Sequence, residues 1–115
     1  MVIERSNMER EIRPRMREGK GECTLTLLAG RQLQKHCRVF SEVEIPVGAS
    51  IGLHDHTAET EYYIVLEGKG LVDDDGTLVA VKPGDVVVTT GGARHSVEAT
   101  GDAPLRLIAV IITDA

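Results

Sequence analysis

Residues 48–68 read GASIGLHDHTAETEYYIVLEG, and residues 84–95 read GDVVVTTGGARH. These two glycine-bounded segments contain three of the chain's four histidines together with a well-spaced carboxylate: His54, His56, His95 and Glu61. Because side chains alternate between the faces of a strand, His54 and His56 point the same way, and Glu61 opens the adjacent returning strand. Three imidazoles and a carboxylate suit a divalent transition metal, so the pattern predicts a site for Mn, Fe, Co, Ni, Cu or Zn.

Each of these residues also has a simpler interpretation. The pattern His-x-His often occurs by chance, Glu61 could be a solvated carboxylate, and His95 could cap an element or sit in the core. Glu59 competes with Glu61 as the carboxylate, but it falls in a predicted turn over 57–60 where a side chain faces solvent. The concentration of all four residues in two strand pairs favours the metal site.

From Glu22 onward the chain has the pattern of an all-β protein. Nine segments have the composition of strands and are separated by turn residues: 22–28, 37–45, 49–56, 61–67, 70–73, 77–81, 85–89, 94–99 and 105–113. The tripeptide at 74–76, Asp-Asp-Gly, is a strong hairpin signal. Strands at this spacing predict a single-domain β-sandwich or barrel. Upstream, residues 7–17 have a weak pattern for a short helix, which Pro14 interrupts.

Composition narrows the class of protein. At 115 residues the chain has the length of one domain. A net charge of −5 argues against a general nucleic-acid binder. No apolar run approaches the roughly 18 residues that span a bilayer, so no membrane partner is expected. The N-terminus lacks the apolar core of a signal peptide, which predicts a cytoplasmic protein.

The charge is unevenly distributed along the chain. Residues 1–20 hold six Arg/Lys against four Glu, whereas the remainder holds seven against fourteen Asp/Glu. This asymmetry predicts an N-terminal arm over 1–20 beside a barrel over 21–115. The arm docks on its own body or on a partner's, or it is a frayed terminus. The apolar runs 86–88 and 105–112 suit strands that bury both faces, and they predict a homodimer sealed by the C-terminal or N-terminal strand.

The two metal-site segments resemble the motifs of the cupin superfamily. The first family motif is Gly, five residues, His-x-His, three or four residues, Glu, six residues, Gly. Every fixed position of that motif is matched, at Gly48, His54, His56, Glu61 and Gly68. The second motif is matched at Gly84, Gly92 and His95, whereas Thr90 and Ala99 replace the family's proline and asparagine. Neither replacement falls on a metal ligand.

The resemblance implies a double-stranded β-helix, or jelly-roll barrel, that is often dimeric. It also implies that His54, His56, Glu61 and His95 hold a metal inside one mouth of the barrel. The family includes sugar-phosphate isomerases, dioxygenases, sugar-binding domains and oxalate decarboxylases. The oxalate decarboxylases have two barrels, whereas this chain has the length of one. The leading hypothesis is a metal-dependent enzyme of isomerase or dioxygenase type acting on a sugar, sugar phosphate or carboxylate. The alternative is a non-catalytic module that binds a small ligand.

Two further residues are candidates for contacts with that small molecule. Because side chains alternate along a strand, Tyr63 lies on the same face as Glu61. Its hydroxyl could act there as a catalytic donor. The same position also suits a core aromatic with its hydroxyl at the rim. Arg38 either points inward toward an anionic substrate or lies on the outer surface as an ordinary charge.

Overall fold

The computed structural model describes all 115 residues and consists almost entirely of strands. The ten strands are β1 (Arg10–Pro14), β2 (Glu22–Leu27), β3 (Cys37–Ile45), β4 (Ser50–Asp55), β5 (Glu59–Glu67), β6 (Gly70–Asp74), β7 (Thr77–Val81), β8 (Val86–Thr90), β9 (Arg94–Ala99) and β10 (Leu105–Thr113). Short 3-10 turns occupy Arg5–Asn7 and Met16–Glu18. The prediction of an all-β fold is confirmed, and the nine predicted strands lie close to their observed bounds.

The strands form two antiparallel sheets that pack face to face. The larger sheet has the order β1-β2-β3-β10-β5-β8, and the smaller has the order β4-β9-β6-β7. Strand β10 lies near the middle of the larger sheet and buries every second residue, as the period of a strand requires. The core between the sheets includes Val43, Ile45, Ile51, Val65, Val72, Val97, Leu105 and Leu107.

The hairpin between β6 and β7 forms where the sequence predicts it. Asp75 and Gly76 make the two-residue loop, and both have positive φ, at 49° and 98°. A two-residue loop of this kind matches the right-handed twist of the flanking strands, and glycine reaches that conformation without strain. The side chain of Asp73 accepts a 2.8 Å hydrogen bond from the Gly76 N–H, which further fixes the turn.

The N-terminal residues add a strand to the larger sheet. Strand β1 pairs with β2 from Arg10 opposite Thr26 to Pro14 opposite Glu22, so the expected helix over 7–17 is wrong. Proline is tolerated here because β1 is an edge strand. The arm therefore docks on the body of its own chain. The boundary between arm and barrel at residue 20 stays a prediction.

The position of β10 also bears on the predicted dimer. Because β10 pairs with β3 on one side and β5 on the other, it cannot seal an open edge, and that part of the prediction is wrong. The edges of the larger sheet are β1 and β8 instead. The outer face of β8 stays uncovered, with Val86 and Val88 each at least half exposed. No helix in the chain is long and apolar enough to cross a bilayer.

Candidate metal centre

A β-bulge in β4 sets the direction of His54. Ile51 lies opposite Val97 and His54 lies opposite His95, so three steps along β4 match two along β9. Ile51 is buried in the core, and strict alternation from Ile51 would turn His54 outward. The extra residue at positions 52–53 reverses the alternation of side chains along β4. As a result, the side chains of Ile51 and His54 line the same interior cavity.

All three histidine rings are held through their Nδ1 atoms. The acceptors are Gly52 O for His54 at 2.7 Å, Glu59 Oε2 for His56 at 2.5 Å and Thr89 Oγ1 for His95 at 2.8 Å. An imidazole whose Nδ1–H donates in this way presents the lone pair of Nε2 on the opposite side of the ring. Such partners fix the tautomer and the orientation of metal-binding histidines.

The Nε2 atoms converge with the carboxylate of Glu61. The Nε2 atom of His95 lies 2.9 Å from that of His56 and 3.0 Å from that of His54. Glu61 Oε1 lies 2.9 Å from the Nε2 atoms of both His56 and His95, and 4.0 Å from His54 Nε2. The structure thus brings the four sequence-predicted residues into one group that is positioned to hold a metal.

The spacing of these donor atoms fits a transition-metal ion. For donors about 2.1 Å from an ion, neighbours at right angles lie about 3.0 Å apart, whereas tetrahedral neighbours lie about 3.4 Å apart. The separations of 2.9–3.0 Å match right-angle neighbours. In addition, Glu61 Oε1 is buried and accepts no hydrogen bond, although two ring nitrogens face it. A cation at the point of convergence would satisfy this orphaned oxygen and the three lone pairs together.

The protonation states of two ligands suit a metal as well. Burial acts to raise the pKa of Glu61, but the adjoining imidazoles of His54 and His95 outweigh it and lower that pKa to about 2. Burial lowers the pKa of His95 below its usual value, against the opposing influence of Glu61. A carboxylate that stays ionised and an imidazole that stays neutral are the forms that bind metal ions.

Tyr63 lies directly beside the centre. Its ring is buried in the core and stacks on His95, with centroids 4.9 Å apart and planes 11° apart. Its hydroxyl lies 3.4 Å from His95 Nε2. Burial, and then the charge of Glu61, raise the pKa of Tyr63 well above its usual value, so the hydroxyl keeps its proton. The sequence allowed Tyr63 to be either a core aromatic residue or a donor to a bound ligand. These two interpretations are compatible, because the buried ring carries a hydroxyl that lies beside His95.

Glu59 and Arg38 form a supporting pair that the sequence pattern missed. Glu59 begins β5 and its side chain is only 13% exposed, so its expected place in a solvent-facing turn is wrong. Its carboxylate accepts the hydrogen bond from His56 and two more from Arg38, at 3.0 and 2.9 Å. Arg38 occupies a bulge in β3, since Ile111 pairs with Val39 and the next residue pairs with Cys37. This bulge turns Arg38 toward the mouth of the cavity.

A cavity of about 560 Å³ opens beside the site, and His54, His56 and Glu61 form part of its lining. Half of its lining residues are apolar, and Val43, Ile51 and Ala109 are among them. Four arginines also line it: Arg13, Arg15, Arg17 and Arg38. This size is typical of sites for small molecules, and the cationic lining favours an anion.

The family of the chain follows from this fold, this site and a sequence match. The sequence profile described as Cupin domain matches residues 41–111, and the chain belongs to the cupin family. The cupin neighbours among solved structures confirm the double-stranded β-helix. One of them is a predicted oxalate decarboxylase from Thermotoga maritima, with a TM-score of 0.90 and 40% identity over 98% of this chain and 99% of that one.

Two further relatives show how far the resemblance extends. An oxalate-binding protein from Thermotoga maritima is 41% identical over 113 residues, which are 97% of this chain and 93% of that protein. A sugar phosphate isomerase of the cupin superfamily from Silicibacter pomeroyi has a TM-score of 0.80 over 97% of this chain and 75% of that one, at 20% identity. That isomerase shares the fold alone. The oxalate-binding relative is about as long as this chain. The contrast with two-barrel oxalate enzymes therefore does not apply to this relative.

Proposed function

We propose that the chain holds a divalent transition metal on His54, His56, Glu61 and His95 and binds a small dicarboxylate, oxalate foremost, on that ion. The observation that carries this proposal is the convergence of three ring nitrogens with a buried carboxylate oxygen that accepts no hydrogen bond. The name of the oxalate-binding relative supports the choice of ligand. The metal, when bound, would supply positive charge and coordination sites for oxygen donors.

The arrangement of the donors favours a chelating ligand. His54 Nε2 lies 4.0 Å from Glu61 Oε1, farther than the other two ring nitrogens. His56 and His95 are neighbours of Glu61 and of each other, at 2.9 Å. Four protein ligands on a six-coordinate ion would leave two positions for the oxygens of a ligand. A dicarboxylate such as oxalate presents two oxygens that fit adjacent positions.

Titration calorimetry of the metal-loaded and metal-stripped chain with oxalate tests the proposal. We expect oxalate to bind the loaded chain at least about 10-fold more tightly than acetate, because acetate lacks the second carboxylate. We expect the stripped chain to bind oxalate far more weakly, because the chelated ion is missing. Equal affinity of loaded and stripped protein for oxalate would contradict the proposal.

The second candidate is a metal-dependent enzyme, and the position of Tyr63 favours it. Its protonated hydroxyl lies beside His95 and faces the cavity, so it is a candidate catalytic donor to a bound substrate. Decarboxylation of oxalate consumes one proton and gives formate and carbon dioxide. Formate release by the loaded chain would support this candidate. Sugar phosphates and oxygen uptake with catechols, assayed in parallel, test the isomerase and dioxygenase versions.

We further propose that two copies of the chain associate through the outer face of the larger sheet. Phe40, Tyr62 and Val88 lie in one cross-strand row with Val110, and all are at least partly exposed. A contiguous apolar face of this kind is typical of an interface, and a two-fold axis lets the same face cover itself.

Light scattering tests the dimer. We expect the wild-type chain to have a mass near twice the 12.5 kDa of one chain. We expect the Val88→Asp variant to have the mass of one chain, because a charge at the interface opposes its burial. The matched control is Val47→Asp, at an equally exposed valine in the turn before β4. A wild-type mass of 12.5 kDa at micromolar concentration would refute the dimer.

We also place the chain in the cytoplasm. Cys23 and Cys37 are both free thiols, as a reducing compartment favours. Burial raises the pKa of Cys23 to about 11, so this thiol is unreactive and acts as a small core residue.

A further inference from the structure

We propose that residues 13–17 form the anion-selecting wall of the cavity, and that Arg15 and Arg17 bind the outer carboxylate oxygens of a dianionic ligand. This inference rests on the proposed function and deepens it, because it says how the site distinguishes a dianion from a singly charged chelator. The ligand class is a small dicarboxylate whose inner oxygens reach the ion and whose outer oxygens face the segment.

The two arginines are available because no protein carboxylate neutralises them. Four arginines belong to the lining of the cavity. Arg13 pairs with Glu11 through hydrogen bonds of 3.0 and 2.5 Å, and Arg38 pairs with Glu59. Arg15 and Arg17 form no ion pair within the chain. Planar guanidinium groups that lack a protein partner are suited to carboxylate oxygens.

The backbone of this segment adopts an unusual conformation. Arg15 has φ 46° and ψ 48°, and Arg17 has φ 53° and ψ 39°, which places two non-glycine residues in the left-handed region. Glu18 follows with φ 63°. Conformations of this kind persist only where surrounding contacts enforce them, and they concentrate at functional sites. The strain therefore indicates that contacts with the rest of the chain hold the backbone of this segment in place.

A local hydrogen bond and contacts with β4 hold the strained segment in place. The Arg15 N–H donates to the Gly21 carbonyl at 2.8 Å, and Ser50 exchanges hydrogen bonds with Lys20 at 2.9 and 3.0 Å. The Arg17 carbonyl packs so closely on Gly52 that a Cβ atom there would lie 2.1 Å from it. Gly52 belongs to the bulge that turns His54 inward and also accepts the hydrogen bond from its ring. The same short piece of β4 thus fixes both the metal ligand and the cationic segment.

Arg17 and the metal-site residues belong to two regions of the lining of one cavity. Arg17 lies in the N-terminal segment, whereas His54, His56 and Glu61 lie on β4, on β5 or in the turn between them. A dianion bound on the ion would lie between these two regions of the cavity.

Calorimetry on the full, metal-loaded chain tests the wall with two probes, oxalate and glycolate. Both can chelate through two oxygens, but glycolate carries one negative charge. For Arg15→Gln combined with Arg17→Gln, we expect the Kd for oxalate to rise at least about 10-fold, because charge-assisted hydrogen bonds are lost. The Kd for glycolate should change by less than about threefold, and metal content should stay the same.

Two controls separate this effect from a general change in charge or folding. Arg31→Gln combined with Lys35→Gln removes the same charge from an exposed turn outside the cavity, and it should leave oxalate affinity unchanged. Arg15→Lys combined with Arg17→Lys keeps the charge and should restore most of the affinity. Unchanged oxalate affinity in the glutamine variant would overturn the wall but leave the proposed function intact. If the wild-type loaded chain binds no oxalate, the proposed function fails and the wall fails with it.

Discussion

Replacing His95→Ala is expected to lower the metal content of the purified chain from about one ion to nearly none, with an affinity loss of at least about 100-fold. His95 is the centre of the donor group, since its Nε2 atom lies within 3.0 Å of the donor atoms of His54, His56 and Glu61. Removing it leaves two imidazoles and one carboxylate without the ring that adjoins all of them. Elemental analysis after dialysis against a chosen metal measures the effect.

The fourth histidine of the chain provides the control for this prediction. His36 lies in a loop before β3, away from the metal-site residues, so His36→Ala should retain the wild-type metal content. Circular dichroism should show that the His95 variant keeps its strand content, because ten of the fifteen residues of the apolar core lie outside the cavity lining. A His95 variant that retains a full complement of metal would show that the four residues do not form the site.

Replacing Gly52→Ala is expected to be strongly destabilising, by about 2 kcal/mol or more in the free energy of unfolding. The new Cβ atom would lie 2.1 Å from the carbonyl oxygen of Arg17 and 2.9 Å from the amide nitrogen of Gly19. Both are backbone atoms, so rotation of a side chain cannot relieve the overlap. The N-terminal segment must move away from β4. Chemical denaturation measures the loss of stability, and elemental analysis shows whether His54 still binds metal.

Gly101→Ala is the matched control for this substitution. The nearest heavy atom to a Cβ atom at Gly101 is the Cβ atom of Lys69, at 3.5 Å, which is an ordinary van der Waals contact. We therefore expect a change within about 0.5 kcal/mol for Gly101→Ala. Equal stability of the two variants would contradict the close packing of residues 17–19 on β4.

Much of this architecture could be predicted from local sequence signals. The alternation of apolar and polar residues and the turn residues between the segments predict the strands. The Asp75-Gly76 loop follows from the backbone preferences of these two residues. The four metal-site residues could be predicted because they stand at characteristic spacings within the two glycine-bounded segments. Such features depend on short stretches of chain, so a single sequence contains them.

The remainder depends on contacts between distant segments. A bulge is defined by the strand opposite, so counting along β4 alone cannot show that the parity changes between Ile51 and His54. Gly52 was the available signal, because glycine inside a strand often marks a bulge. The support that Arg38 gives to Glu59 likewise depends on a bulge in β3. For the N-terminal strand, pairing with β2 overrides a weak helical preference.

The pairing of β4 with β9 also has a consequence for the order of events during biosynthesis. His54 and His95 face each other across these strands although 41 positions separate them in the chain. Before the strands pair, the entropy of closing so long a loop keeps the two imidazoles apart, and a nascent polypeptide offers an ion little more than His54 and His56. We therefore expect the barrel to fold before the four residues can hold an ion together. Refolding rates should consequently be insensitive to added metal, and the ion found in the mature protein should reflect which ions surround the finished barrel.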